Sequence, residues 1–86
     1  MYYQVLEQCP DSGLVYAIPA SRTGQRGWEP PLDNRFVQVL LSKIPLVAGA
    51  TYSFKPRDFS KRLFGKNYFV RGVLDYDRPF GPIESR

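Results

Sequence analysis

The chain has 86 residues, of which 43% are hydrophobic and 15% aromatic, so the composition predicts one globular domain over residues 1–86 and excludes a disordered chain. It contains one cysteine, Cys9, and no histidine, which excludes an intramolecular disulfide, a cysteine-based zinc site and the usual general base. A transmembrane run of about 18 apolar residues and a signal peptide are both missing, so the sequence predicts a cytoplasmic protein that does not enter a membrane.

Short apolar and β-branched runs, bounded by Gly, Pro, Asp and Asn, predict a chain built of β-strands. A turn cluster, residues 9–13, separates the first two runs. Five runs are predicted as strands: Tyr2 to Glu7, Leu14 to Ile18, Arg35 to Leu41, Ala50 to Lys55 and Asn67 to Tyr76. Five strands in so short a chain favour an all-β fold with a small, strongly bent sheet or a closed barrel.

Alternating apolar residues in two of these runs predict the core, because successive side chains of a strand point to opposite faces. The alternating positions are Val37, Val39 and Leu41 in one run and Tyr52 and Phe54 in another. In a small barrel such positions usually fill the interior, so we expect these five side chains to be buried.

Two glycines mark places where a strand pattern is interrupted. Gly72, in the middle of the last run, predicts a bulge or a barrel corner. Residues 58–63 form the only segment that suits a helical turn, and Gly65 would end it. Such a turn is too short to be stable alone.

Positive charge is concentrated in the second half of the chain. The net charge is +4, yet residues 1–21 contain no Lys or Arg. Residues 55–71 contain a single acid, Asp58, and six bases: Lys55, Arg57, Lys61, Arg62, Lys66 and Arg71. A basic segment of this density predicts an anionic partner, and a solvated surface that keeps the protein soluble is the alternative.

A second unusual segment, residues 20–31, reads "ASRTGQRGWEPP", and its apolar residues do not recur at the spacing of a buried strand or helix. Its glycines and prolines predict an exposed hairpin tip, or wing. Trp28 in this segment has two interpretations. It could fold back as a lid on the core, or it could serve as a stacking platform flanked by Arg22 and Arg26.

Residues 62–71, "RLFGKNYFVR", also interleave bases with aromatic side chains beside a glycine. Single-stranded nucleic acid presents phosphates and unpaired base faces together, whereas a duplex hides the base faces. The two segments therefore favour a protein that binds single strands. Comparable surfaces occur at protein–protein interfaces, so a small protein that binds and inhibits a host factor is the alternative function.

An enzyme is not predicted, because the chain lacks the usual nucleophile–base pairs and a glycine-rich phosphate loop. Asp75 and Asp77 are close in sequence but have the character of ordinary charges at a strand end. A small basic nuclease that uses Arg, Tyr and Glu is the remaining enzymatic alternative. We predict no catalytic residue, no metal and no cofactor.

The order of these segments resembles the single-stranded DNA-binding proteins of filamentous bacteriophages, the gene V protein family. The resemblance is carried by "SRTGQRGW", "NRFVQVLL", "VAGATYSF" and "LFG", with Arg71 following seven residues after Phe64. The stretch between the first two pieces is shorter than in the family, and Val73 stands where the family has a second arginine. The resemblance implies a five-stranded OB-like barrel with a protruding hairpin wing. It also implies a homodimer that binds single-stranded DNA cooperatively and with little sequence preference, coating a replicating phage genome in the host cytoplasm.

The same resemblance, together with side-chain chemistry, gives the predicted nucleic-acid-binding residues. Four bases would neutralise phosphate: Arg22, Arg26, Lys66 and Arg71. Three aromatic side chains would stack on bases: Trp28, Phe36 and Phe64. In the family the Phe-Gly loop lies near the dimer axis and reaches toward DNA on the partner subunit, and Phe64 matches that position.

Overall fold

The structure is a computed structural model that describes residues 1–20, 37–75 and 77–79. Every regular element in these ranges is a β-strand. In chain order the strands are β1 (Tyr2–Gln8), β2 (Leu14–Pro19), β3 (Gln38–Leu41), β4 (Thr51–Leu63) and β5 (Lys66–Leu74). Over the same residues, no helix is long and apolar enough to cross a membrane.

The five strands form one sheet that closes into a ring in the order β1-β2-β3-β5-β4. Neighbouring strands are antiparallel except for β3 and β5, which run parallel at Leu40–Gly72 and Leu41–Val73. This ring confirms the predicted all-β fold with five strands in a barrel-like closed arrangement. Apart from Ala20, the predicted wing lies outside the described residues.

The core lies inside the ring and takes side chains from β1, β2, β3, the start of β4 and the residue just before β4. Its buried members are Tyr3, Val5, Val15, Ala17, Leu40, Ala50, Tyr52 and Phe54. The rings of Tyr3 and Phe54 meet edge to face with their centroids 5.8 Å apart. The prediction that Tyr52 and Phe54 fill the core is therefore confirmed.

The core prediction for β3 was wrong by one residue. Leu40 is fully buried, whereas Val37, Val39 and Leu41 are only half-buried. A shift of one residue exchanges the two faces of a strand. Because apolar residues occupy both faces of this run, its sequence does not indicate which face points inward. Pairing of Leu40 with Val15 of β2 and with Gly72 decides the register.

The predicted turn between the first two strands is present. The Gly13 amide donates to the Cys9 carbonyl over 3.0 Å, and the Cys9 amide donates to the Leu14 carbonyl over 2.9 Å. Gly13 has φ +76°, and a Cβ there would collide with the Ser42 carbonyl oxygen. Glycine is therefore required both by the backbone conformation and by the close approach of the chain after β3.

β4 is much longer than the predicted run, which ended at Lys55. The helical turn considered for residues 58–63 is wrong, because this segment is strand and pairs with β5 from Phe59–Val70 to Leu63–Lys66. A short isolated helical turn leaves most of its backbone groups without partners. Pairing with β5 supplies interstrand hydrogen bonds instead, and this non-local gain is invisible in the local sequence pattern.

A β-bulge divides β4 into two parts. Pro56 pairs with Gly72 and Phe59 pairs with Val70, so two residues of β4, Arg57 and Asp58, stand opposite Arg71 alone. The irregularity that Gly72 predicted therefore lies beside it, on the partner strand. A Cβ on Gly72 would come within 2.8 Å of the Lys55 carbonyl oxygen and 3.2 Å of Leu40 Cδ2, so glycine permits the close packing at this corner.

Candidate nucleic-acid interface

Residues 59–70, beyond the bulge, form a two-stranded hairpin that we call the arm. Its strands pair with each other at five positions, and the part of the chain that the structure describes provides no third strand beside them. Five paired residues at about 3.3 Å each give the arm a length of roughly 17 Å. The arm contains most of the segment "RLFGKNYFVR" that the sequence singled out, and Arg71 follows it directly.

The two faces of the arm follow from its register, since directly opposed residues of antiparallel strands share a face. One face, the inner face, carries Phe59, Lys61, Leu63, Lys66, Tyr68 and Val70. The other, the outer face, carries Ser60, Arg62, Asn67 and Phe69, and Arg71 continues it toward the ring. Val70 is fully buried and most of its inner-face neighbours are half-buried, whereas all five outer-face residues are exposed.

The inner face lies beside the β1–β2 hairpin. In addition to the effect of burial, Tyr68 lies close enough to Tyr16 of β2 to raise the pKa of its hydroxyl, and Cys9 in the turn has a similar effect on Tyr16. Lys61 shares a cleft with residues 10–13 of the same turn. Among the described residues, the inner face thus has neighbours on the β1–β2 hairpin, and the outer face is the side left exposed to a large ligand.

Phe69 and Arg71 form the most distinctive feature of the outer face. The Arg71 guanidinium lies over the Phe69 ring, with Cζ 4.4 Å from the ring centroid. The Phe69 side chain nevertheless remains 47% exposed. A cation over an aromatic ring within about 6 Å is attracted by the ring's quadrupole, so the two side chains form one amphipathic surface.

The tip of the arm is the two-residue turn Phe64–Gly65. Both residues have positive φ, 54° for Phe64 and 78° for Gly65. Such a turn matches the twist of the two strands, but its first position normally holds Asn, Asp or Gly, since other side chains are strained there. Phe64 is also 81% exposed. A large apolar side chain in a strained, exposed position has no structural advantage here and is a candidate for function.

Charge along the arm and the adjoining part of β4 is strongly positive. Of the six bases in residues 55–71, five are exposed and Lys61 is half-buried. Within the described ranges these bases form two ion pairs: Lys55 Nζ lies 3.8 Å from Asp75 Oδ1, and one terminal nitrogen of Arg71 lies 3.8 Å from Asp58 Oδ2. Both distances are long for ion pairs, and pairs this exposed to solvent contribute little to stability.

Two tyrosines near this region have raised pKa values. Burial raises the pKa of Tyr3, and the positive charge of Arg71 acts in the opposite direction. Burial is also the largest cause of the raised pKa of Tyr16, followed by the electrostatic effects of Cys9 and Tyr68 and by hydrogen bonds with them. Both hydroxyls therefore stay neutral at physiological pH and add no negative charge beside the bases.

The predicted binding residues divide into three groups. Four of them, Arg22, Arg26, Trp28 and Phe36, lie outside the described residues. Phe64 and Lys66 lie together at the arm tip, and Arg71 lies at the base of the arm, opposite the bulge. Because Lys66 and Arg71 are five residues apart on one strand, they belong to opposite faces and do not form a single cluster.

Phe69 is not among the binding residues predicted from the sequence. It was included in a strand but given no function, although it lies two residues before Arg71 and therefore on the same face. Counting in steps of two back from Arg71 gives Phe69 and Asn67, and the cross-strand partners then add Ser60 and Arg62. The two-residue spacing of Phe69 and Arg71 is visible in the sequence, whereas Ser60 and Arg62 are identified only from the β4–β5 register.

A separate cleft of about 820 Å³ lies between β1, the β1–β2 turn and residues 41–48. Gln8 fixes one wall, because its Nε2 donates to the Ile44 carbonyl over 2.9 Å and its Oε1 accepts from the Leu46 amide over 2.7 Å. The charged lining residues are two acids, Glu7 and Asp11, and two bases, Lys43 and Lys61. Since these charges balance, the cleft does not favour an anionic ligand and is not the candidate interface.

Comparison of the chain with protein-family models, with curated proteins and with solved structures found no match.

Proposed function

We propose that this protein binds single-stranded DNA, cooperatively and with little sequence preference, and coats a replicating genome strand. The observation that carries the proposal is the exposed outer face of the arm, where Phe69 lies under Arg71 at 4.4 Å beside Arg62. A single strand offers phosphates for the guanidinium groups and unpaired bases for the aromatic ring. Stacking of one base on an aromatic side chain contributes about 1–3 kcal/mol.

The chemistry of the arm suits an unpaired strand better than a duplex. Groove readers need polar side chains aimed at base edges, and the base faces of a duplex are covered by stacking. Phe64 and Phe69 present ring surface that duplex DNA would leave unused. Their exposure, 81% and 47%, is costly in water unless a flat ligand covers them.

The resemblance to the gene V protein family supports the same function and adds a biological setting, a phage genome in the host cytoplasm. On this proposal Arg22, Arg26 and Lys66 contact phosphate together with Arg71. Trp28, Phe36 and Phe64 stack on bases, and Phe69 joins them on the evidence of its geometry. Binding alone accounts for these residues, so we propose no reaction and no cofactor.

We also propose that the protein works as a homodimer. Phe64 and Leu63 give the arm tip an apolar character that a second copy could cover across a two-fold axis. Sedimentation equilibrium at tens of micromolar should give a dimer of the 9.9 kDa chain. A monomer under those conditions would remove this part of the proposal and leave DNA binding intact.

The test of DNA binding is a titration of labelled oligothymidylate, with a single-stranded RNA and a DNA duplex of equal length as controls. We expect binding to oligothymidylate to be the tightest and to leave the oligonucleotide uncleaved. If about four phosphates are neutralised per site, log K should fall against log salt with a slope of about −3. A slope near zero, or equal affinity for the duplex, would contradict the proposal. The complete absence of binding would favour the host-factor alternative.

A further inference from the structure

The single acid within the basic segment lies next to the arginine at the centre of the proposed site. Residues 55–71 contain six bases, and their one acid is Asp58. The bulge brings Asp58 opposite Arg71, with its Oδ2 3.8 Å from a terminal guanidinium nitrogen. Arg71 is therefore held from two directions, by the Phe69 ring and by a carboxylate.

The bulge is what creates this contact. In a regular ladder each residue of β5 would face a single residue of β4, and its neighbours would point to the other face. Here Arg57 and Asp58 together face Arg71, and the extra residue re-aims the side chains of the strand. Bulges are enriched at functional sites for this reason, and this one supplies an anion to an otherwise cationic surface.

We propose that Asp58 is a resident anion that occupies Arg71 in the free protein and that a phosphate of the nucleic acid displaces. This inference deepens the DNA-binding function proposed above and rests on it. The carboxylate and the phosphate compete for the same guanidinium donors, which bind both groups in similar geometry. Displacement needs no rearrangement of the backbone, because both side chains are at least half exposed and their contact is long.

Competition of this kind lowers the affinity for any single phosphate while leaving Arg71 stacked on Phe69. A free phosphate ion has only the guanidinium to bind. A nucleic acid strand also gains stacking on Phe69 and contacts with the other bases of the arm. Asp58 thereby weakens the binding of small anions, whereas a polymeric anion compensates through its additional contacts.

The experiment is a double-mutant cycle on oligothymidylate binding. Asp58→Asn should tighten binding two- to fivefold at low salt, the range expected when an exposed ion pair is removed from competition. Asp77→Asn is the control for net charge, since it removes the same unit of charge from an exposed residue after β5, and it should change the affinity less than twofold. In an Arg71→Gln background, the effect of Asp58→Asn should fall to that of the control.

An equal effect of Asp58→Asn and Asp77→Asn, or an effect that persists without Arg71, would overturn the inference. Thermal melts of each variant show whether it is folded. A second readout does not depend on DNA: the Arg71 side-chain NMR signal is followed during titration with inorganic phosphate. Asp58→Asn should lower the phosphate concentration at half-shift by the same two- to fivefold. If wild-type protein ignores oligothymidylate, the DNA function fails, and this titration still decides the role of Asp58.

Discussion

Residues 51–54 of β4 are all buried, whereas residues 55–58 are all exposed and residues 59–63 alternate between half-buried and exposed. β5 shows the reverse order, from an exposed start at Lys66 to buried and half-buried residues near Leu74. The same pair of strands thus forms part of the ring at one end and the arm at the other. The bulge at Arg57 and Asp58 lies where the ring ends and the arm begins.

The difference between ring and arm comes from the number of neighbouring strands. In the ring, β4 pairs with both β1 and β5, and its side chains meet the core. In the arm the described residues give β4 a single partner, β5. Where two neighbours and a core surround a strand, its inward side chains must be apolar. Where one neighbour is present, a whole face is free to carry cations and aromatic rings. Substitutions in the ring should therefore affect folding, and substitutions in the arm should affect binding.

The largest expected effect is on the stability of the ring. Phe54→Ala should lower the free energy of unfolding by about 3–5 kcal/mol, because it empties the centre of the core beside Tyr3. Phe69→Ala removes the same side chain from the arm and should change stability by less than about 1 kcal/mol. Urea unfolding followed by circular dichroism measures both. Equal destabilisation by the two variants would break the distinction between ring and arm.

The next largest expected effect is on the proposed DNA binding by the arm. Phe69→Ala should weaken binding to oligothymidylate by about 1–3 kcal/mol through the loss of stacking. Leu6→Ala in β1 is a matched control, since Leu6 is 46% exposed against 47% for Phe69. The control should bind as the wild type does in a fluorescence anisotropy titration. A similar loss of affinity in both variants would mean that exposed apolar area, rather than the arm, determines binding.

A substitution at the arm tip should change stability and binding in opposite directions. Phe64→Asn should stabilise the protein by about 1 kcal/mol, because Asn tolerates the positive φ of this turn better than Phe. The same variant should bind oligothymidylate more weakly, since the ring is lost. Phe64→Leu separates the two effects: it keeps the backbone strain and loses only the ring. Thermal melts and titrations of both variants measure this, and a destabilised Phe64→Asn would contradict the strain argument.

The smallest expected effect is a pH dependence of stability, and it arises from a buried side chain of the ring. Burial raises the pKa of Tyr3 above the ordinary value of 10.0, so the unfolded chain loses its proton first as the pH rises. The stability that this tyrosine contributes is complete below pH 10 and is lost progressively above it. Urea midpoints measured at increasing alkaline pH should fall, and they should fall less in Tyr3→Phe. Identical curves for the two proteins would exclude Tyr3 as a cause of the lower stability at alkaline pH.

Much of the fold follows from local sequence. β1, β2 and β5 were predicted to within two residues at each end, and the turn at residues 9–13 was predicted from its composition. Period-two alternation indicated Tyr52 and Phe54 as core residues. These features depend on neighbours in the chain, so the amino-acid pattern contains the information. The basic character of residues 55–71, and hence an anionic partner as the leading hypothesis, also came from the sequence.

Only the tertiary structure decided how these pieces combine. The outer half of β4 is strand because β5 pairs with it, and Leu40 is the buried residue of β3 because Val15 and Gly72 flank it. The meeting of Asp58, Arg71 and Phe69 depends on a bulge and on a register across two strands. Pairing register is a property of residues distant in sequence. For this protein, local sequence therefore predicted most of the strands and their charge, and strand pairing determined which side chains share a surface.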